Sequence, residues 1–359
     1  MTPGLLVFSL LLIPLLATAG ESAAEVDALI EAGHWKRVRG IAEAQVKSDA
    51  NNAQAHFWLA KVLPGFNDFD SALAHAEKAV ALAGNNAAYH GQLAEVCALI
   101  ADRSSAVKGF TFVRRMRKEI DAALAINARH TDTLLVDMMF SFKAPGIAGG
   151  DRKKAFQIAD RIQSISPEWG YLAHARLLQD GTDDKTTEQM LLNAVKASPS
   201  FYRARASLAR FYCCTAQQKR PDRAESAALQ AVSADPAATP AYEVLARIYA
   251  QQERWAELDK LLQRAEHAVP DDFAPYYAAA QGCFDVGKDF ERGRSYLTRY
   301  LGQPVEGRQP THAEGRWLLA RMYEKEGRRA DAVRELEMAV RQDPLLDGAK
   351  KDLKRLRHG

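Results

Sequence analysis

Residues Ala313 to Pro344 read AEGRWLLARMYEKEGRRADAVRELEMAVRQDP. Leu319, Ala320 and Tyr323 share one stripe of a first helix, since residues three and four apart lie on the same face. Gly327 breaks that helix. Ala332, Leu336 and Ala339 form the stripe of a second helix, and Pro344 ends it. Helices of roughly two and a half to four turns are marginal in water by themselves. The stretch therefore predicts one helix-turn-helix unit that must bury its apolar face against neighbours.

Such neighbours are present. Pro167, Pro199, Pro236, Pro270, Pro304 and Pro344 follow one another at 32, 37, 34, 34 and 40 residues, each after an apolar-periodic segment. A period near 34 residues marks a helical repeat array. The unit Thr239 to Asp272 carries Leu245, Ala246, Tyr249, Trp255, Leu258, Leu262, Ala265 and Pro270, and Ala53 to Asn86 carries Leu59, Ala60, Phe69, Ala72, Ala76 and Ala79. Small residues let two helices approach, and larger ones fill the space to the next pair. This pattern resembles the tetratricopeptide repeat, with its Leu-Gly/Ala, Tyr, Gly, Ala, bulky residue, Ala and Pro. The resemblance implies an all-α, right-handed superhelical solenoid of about nine helix-turn-helix repeats. The units fall near 21–52, 53–86, 87–130, 131–169, 170–199, 200–236, 237–272, 273–304 and 313–344, and residues 345–359 form a basic capping helix. In that cap Leu346, Leu353 and Leu356 turn inward, and Lys350, Lys351, Lys354, Arg355 and Arg357 turn outward. Each repeat is expected to touch only its neighbours.

The chain has 359 residues and a net charge of +3 from 48 basic and 45 acidic side chains. That balance argues against a nucleic-acid partner, for which a strongly basic domain is expected. The first segment, MTPGLLVFSLLLIPLLATAG, carries no charged side chain. Its apolar run Leu5 to Leu16 is short for a membrane span, and Ala17-Thr18-Ala19 has the small-x-small form of a cleavage site. Residues 1–19 read as an export signal of bacterial type. They imply a periplasmic or secreted chain with no stable membrane span once the signal is cut.

Catalytic motifs are weakly represented. APGIAGGDRKKA, Ala144 to Ala155, has the glycines and lysines of a phosphate loop, but Asp151 stands where a Walker loop needs its second glycine and no Ser or Thr follows. The stretch reads as a turn: Pro145 stops one helix, Gly149 and Gly150 take positive φ, and Asp151 caps the next. Cys97 and Cys283 take the Tyr position of their first helices and are expected in the core. Cys213 and Cys214 are adjacent and point about 100° apart on a regular helix, so a bond between them is not expected without distorting it. No HExxH and no H-x-x-x-H spacing occurs, so neither a metal site nor a cofactor is expected, and the chain reads as a non-enzyme.

The remaining constellation is geometric. In tetratricopeptide folds the first helix of each pair lines the concave surface, so equivalent positions of successive repeats come together. The ninth position holds Lys61, Arg210, Arg247, Gln281 and Arg321; the fifth holds Phe57, Tyr277 and Trp317; the second holds Arg203 and Glu314. Arg203, Arg210, Arg247, Tyr277, Gln281, Trp317 and Arg321 are therefore the candidate partner-binding ladder. Arginines suit carboxylates by bidentate bonding, and aromatic rings give stacking area. The expected partner is a protein or an extended, acidic peptide. Repeats that clamp chaperone tails carry Asn at the ninth position, so that specificity does not transfer here. Lengthened turns in the third, fourth and sixth units fall on one edge, where Arg114, Arg115, Arg117 and Lys118 form a candidate patch. The functional expectation is a non-catalytic interaction scaffold of the cell envelope. The alternative is a periplasmic solute-binding component that hands a small anion to a transporter.

Overall fold

The computed structural model describes residues 22–178, 183–304, 306–307 and 310–358. The export-signal reading of residues 1–19 lies outside the described residues. Among those described there are nineteen α-helices and no strand. They form nine antiparallel pairs and a last single helix. The first pairs are α1 (Ala23–Ala32) with α2 (Trp35–Ser48), α3 (Ala53–Val62) with α4 (Phe69–Leu82), and α5 (Ala87–Asp102) with α6 (Ala106–Ile126). Next come α7 (Thr131–Lys143) with α8 (Arg152–Ile165), α9 (Pro167–Leu178) with α10 (Asp184–Ala197), and α11 (Tyr202–Arg210) with α12 (Pro221–Ala234). The chain ends with α13 (Pro240–Gln251) and α14 (Trp255–Ala268), α15 (Ala274–Val286) and α16 (Phe290–Leu301), α17 (His312–Lys325) and α18 (Arg329–Gln342), and the single α19 (Asp347–His358). Pro167 opens α9 instead of closing the unit before it, because a proline at the first helical position loses no hydrogen bond.

Local chemistry sets the helix ends. Ser22 with Glu25 and Thr311 with Glu314 form reciprocal capping boxes. Asn52, Asp68, Asp151 and Asp183 each accept a backbone N–H from the first turn they precede. The pairs close tightly because Ala60, Ala79, Ala246, Ala265, Ala320 and Ala339 sit at the crossings and are each 2% exposed or less. Larger side chains, among them Leu59, Leu134, Leu191, Tyr242 and Leu245, fill the layers between pairs. First helices stack side by side in two runs, α3 on α5 and α5 on α7, then α11 on α13, α13 on α15 and α15 on α17. Leu346, just before α19, and Leu353 and Leu356 of α19 cover the end of the core over Ala320 and Leu336.

Two departures from the sequence reading matter. The extra residues of the third unit lengthen its helices, not a loop: α5 has 16 residues and α6 has 21. The start of α6 therefore projects beyond its neighbours. The second departure concerns contacts at long range. Arg203 of α11 donates from Nε to Glu31 of α1 at 2.8 Å. His34 Nδ1 lies 3.2 Å from Asp271 Oδ1, Lys36 Nζ donates to the Asp271 carbonyl at 2.8 Å, and the Lys36 amide donates to Glu306 Oε1 at 3.0 Å. A Cβ built on Gly65 would fall 1.4 Å from the Gly307 carbonyl oxygen, so only glycine fits this approach. The solenoid thus closes, and its first pairs meet the edge of the sixth to eighth. Nearest-neighbour stacking neglects curvature, which accumulates over repeats until the start of the spiral meets its later turns.

Candidate functional site

The ladder residues sit on the first helices α11, α13, α15 and α17, and the structure divides them. Arg247 is engaged within the protein. Its Nε and Nη2 donate to Asp285 Oδ2 at 2.7 and 2.6 Å. Gln251 donates to the same oxygen, and Gln281 donates to Asp285 Oδ1, both at 2.8 Å. Asp285, one turn beyond Gln281 on α15, thereby organises three donors from α13 and α15. Its i+4 spacing from Gln281 is the signal that marks it in the sequence.

Tyr277 is half-buried and meets Tyr300 edge-on, with ring centroids 5.7 Å apart. Burial pushes its hydroxyl up to about 12, with Glu314 adding to the rise and the nearby Arg247 and Arg321 opposing it. Arg321 lies over the Phe284 ring at 4.2 Å and the Trp317 ring at 5.5 Å, and among the described residues no carboxylate is paired with it. Glu324, on the same helix, bonds Arg355 of α19 instead. Arg210 is exposed, with Glu243 3.8 Å away.

Two ladder members do structural work. Trp317 donates from Nε1 to Asp352 at 2.8 Å, and its ring lies so close to Gly348 that a Cβ there would meet it at 2.3 Å. It anchors α19. Arg203 belongs to the closing contact with Glu31 and lies 5.5 Å over Trp169. Lys61, at the equivalent position of α3, lies 3.5 Å from Asp132 and over Phe57.

Cys213 and Cys214 are paired as a disulfide, against expectation. The regular helix that would forbid this is absent: residues Phe211–Thr215 form a π-helical turn after α11. Arg247 Nη1 lies 3.6 Å from Cys214 Sγ. The pair helps line a cavity of about 290 Å³ with Lys219, Arg247, Gln251 and Asp285. Cys97 and Cys283 are buried free thiols, and burial pushes them up to about 11 and about 12. Among the described residues no cluster of three or more His, Cys, Asp or Glu side chains is arranged to hold a metal ion.

The edge patch is also divided. Arg115 is paired with Glu77, and Arg117 with Asp137 and the face of Phe140. Arg114 and Lys118 carry no ion pair among the described residues. The turn of Ala144–Ala155 comes against this edge. Asp151 caps α8 by accepting the Lys154 amide at 3.0 Å. Gly149 has φ 93°, whereas Gly150 is needed for room: a Cβ there would lie 1.8 Å from the Ala144 carbonyl oxygen. No helix among the described residues is long and apolar enough to cross a membrane.

No protein-family model matches the sequence, and no curated protein matches it. Solved structures do resemble it. Yeast Tom70 is 13% identical, with a TM-score of 0.52, over 93% of this chain and 80% of that one. A thermophilic tetratricopeptide-repeat protein of Thermus thermophilus, TTC0263, is 16% identical over 53% of this chain and 96% of its own, with a TM-score of 0.46. Pseudomonas aeruginosa PilF is 14% identical over 64% of this chain and 100% of its own, with a TM-score of 0.40. Nine stacked helix pairs with alanine at the crossings define a helical repeat solenoid. The chain has the fold of a tetratricopeptide-repeat solenoid. The likeness speaks to fold, and the fold supports protein interaction only in general.

Proposed function

We propose that the chain is a non-catalytic interaction scaffold of the cell envelope that holds an extended acidic peptide along α13, α15 and α17. One observation carries this reading: Arg247 of α13 and Arg321 of α17 both reach α15, which also carries Tyr277, Arg247 bonding Asp285 at 2.7 Å and Arg321 lying over the Phe284 ring at 4.2 Å. Three successive first helices thus present guanidinium, phenol and guanidinium along one wall, which matches carboxylates spaced along an extended chain. Arg321 has donors to give directly. Arg247 exchanges Asp285 for the incoming carboxylate. The envelope location rests on the apolar run Leu5 to Leu16 and Ala17-Thr18-Ala19.

The test uses fluorescent peptides rich in Asp and Glu with a free C-terminus, beside controls with Asn and Gln. Wild-type chain should prefer the acidic set. Arg247→Glu with Arg321→Glu should weaken it by about tenfold or more for each lost charge-assisted contact. Unchanged affinity in that variant contradicts the wall. A small carboxylic acid that raises the melting temperature where peptides do not would establish a solute site instead.

A further inference from the structure

The two most exposed large apolar side chains among the described residues, Ile147 and Val107, lie beside a third exposed one, Phe110. Ile147 is 97% exposed, Val107 84% and Phe110 53%. Val107 and Phe110 occupy the projecting start of α6, and Ile147 occupies the neighbouring turn between α7 and α8. Phe110 and Ile147 lie across one shallow cleft of about 570 Å³, whose lining also includes Arg114, Arg117 and Lys118. Isolated apolar side chains on a surface are ordinary, but a contiguous group with a polar rim marks an interaction site.

The order of residues along α6 is informative. Val107, Phe110, Arg114 and Lys118 follow at spacings of three and four and share one stripe. The stripe is apolar at its free end and cationic behind. With a rise of about 1.5 Å per residue, Arg114 and Lys118 stand roughly 6 and 12 Å behind Phe110 along the axis. Helical side chains lean toward the N-terminus, so Val107 and Phe110 lean outward. The second tip repeats this order: Ile147 leads, and exposed Arg152 and Lys153 stand behind it in the chain. The acids nearby in sequence are Asp102, Glu119, Asp121 and Asp151; Glu119 is buried against His90, Asp121 lines the cleft beside the three cations, and the Asp151 carboxylate accepts the Lys154 amide.

We propose that these two hairpin tips form a docking edge for an anionic lipid bilayer. Apolar tips enter the interface to a depth of about 5–10 Å, and the cations behind them meet the headgroups. A peptide partner fits less well, because Ile147 and Val107 project almost fully into solvent and the cleft beside Ile147 is shallow. The edge does not depend on the reading of the inner wall.

The test is flotation of the full chain with phosphatidylcholine vesicles, with and without about one quarter phosphatidylglycerol. Residues 1–20 contain no Lys, Arg, Asp or Glu and are common to wild type and variants, so differences between them report the edge. The readout is the ratio of binding to charged over neutral vesicles. Wild type should show a ratio of about tenfold or more at low salt that falls as salt rises. Arg114→Glu with Lys118→Glu should bring it close to unity, and Val107→Asp with Ile147→Asp should lower binding to the charged vesicles. A polarity-sensitive dye on Ile147→Cys, with Cys97 and Cys283 fully buried, should report an apolar environment only with charged vesicles. Equal binding to both vesicles, or variants indistinguishable from wild type, overturns the proposal. So does capture of an acidic amphipathic peptide by these residues with no vesicle preference, which would assign the edge to a protein partner.

Discussion

The inner wall and the outer edge carry similar side chains and use them differently. On the wall Arg247 is held by Asp285, and Gln251 and Gln281 converge on that same carboxylate. On the edge Arg114 and Lys118 stand without an ion pair among the described residues, beside apolar side chains that cover nothing. Burial decides the difference. A cation inside a curved wall loses part of its hydration and is stable only with a partner, whereas a solvated cation loses little and needs none. A ligand of Arg247 must displace an internal partner; a ligand of Arg114 and Lys118 displaces none. Affinity at the wall is thus expected to be selective, and affinity at the edge additive and salt-sensitive.

The largest expected effect strikes the support of the wall alone. Leu245 of α13 is fully buried. Leu245→Ala should cost about 2–5 kcal/mol by denaturant unfolding and weaken acidic peptides, while the vesicle ratio persists. Loss of both activities together would mean that the two surfaces share one cooperative unit. Gly65→Ala is next. A methyl group there cannot coexist with the Gly307 carbonyl. The variant should lose about 1–3 kcal/mol and show a larger radius of gyration by small-angle scattering. An unchanged radius would mean that the ends do not meet in solution.

A smaller change sharpens the comparison from the other side. Asp285→Asn keeps the shape but removes the internal rival for Arg247. Acidic peptides should bind this variant about three- to tenfold more tightly, within the range of a charge-assisted contact, and vesicle binding should not move. Weaker peptide binding would show that Asp285 positions Arg247 instead of competing for it.

The smallest expected effect is a pH dependence of the closing contact, where His34, Lys36, Asp271, Asp272 and Glu306 meet. Burial opposes the His34 imidazolium, but the hydrogen bond and charge of Asp271 outweigh it and hold His34 above 6.5. Its contribution is complete below 6.5 and is lost as pH rises through the raised value. Burial pushes Glu306 from 4.5 up to about 8, with Asp271 and Asp272 adding to the rise, so its contribution also fades as pH climbs from 4.5 toward 8. Asp271 runs the other way. Burial opposes its charge, His34 outweighs that and holds it below 3.8, and its contribution is lost only as pH falls through that lowered value. The melting temperature should therefore be higher near pH 5 than above about pH 8, and His34→Asn should flatten the difference. A rise in stability toward alkaline pH would contradict this assignment.

The repeat architecture was legible because it is written in local periodicity: Leu319, Ala320, Tyr323, Ala332 and Leu336 announce their faces wherever they stand. The closing contact was not, since residues such as His34 and Asp271 are 237 positions apart and no local pattern links them. The Cys213–Cys214 pair was missed because a regular helix was assumed where a π-helical turn lies. The cations of the edge were visible as a basic run. Val107 and Phe110 were not singled out, because a lengthened turn was expected where α6 starts early. Within the ladder, spacing placed Trp317 on its helix but could not say that Asp352 already held it.

The most direct test of two independent surfaces is backbone hydrogen exchange on the full chain with and without phosphatidylglycerol-containing vesicles. The account expects slower exchange at residues 103–112 and 143–151, with α13, α15 and α17 unchanged. Protection along those three inner helices, or none at the two tips, would contradict it.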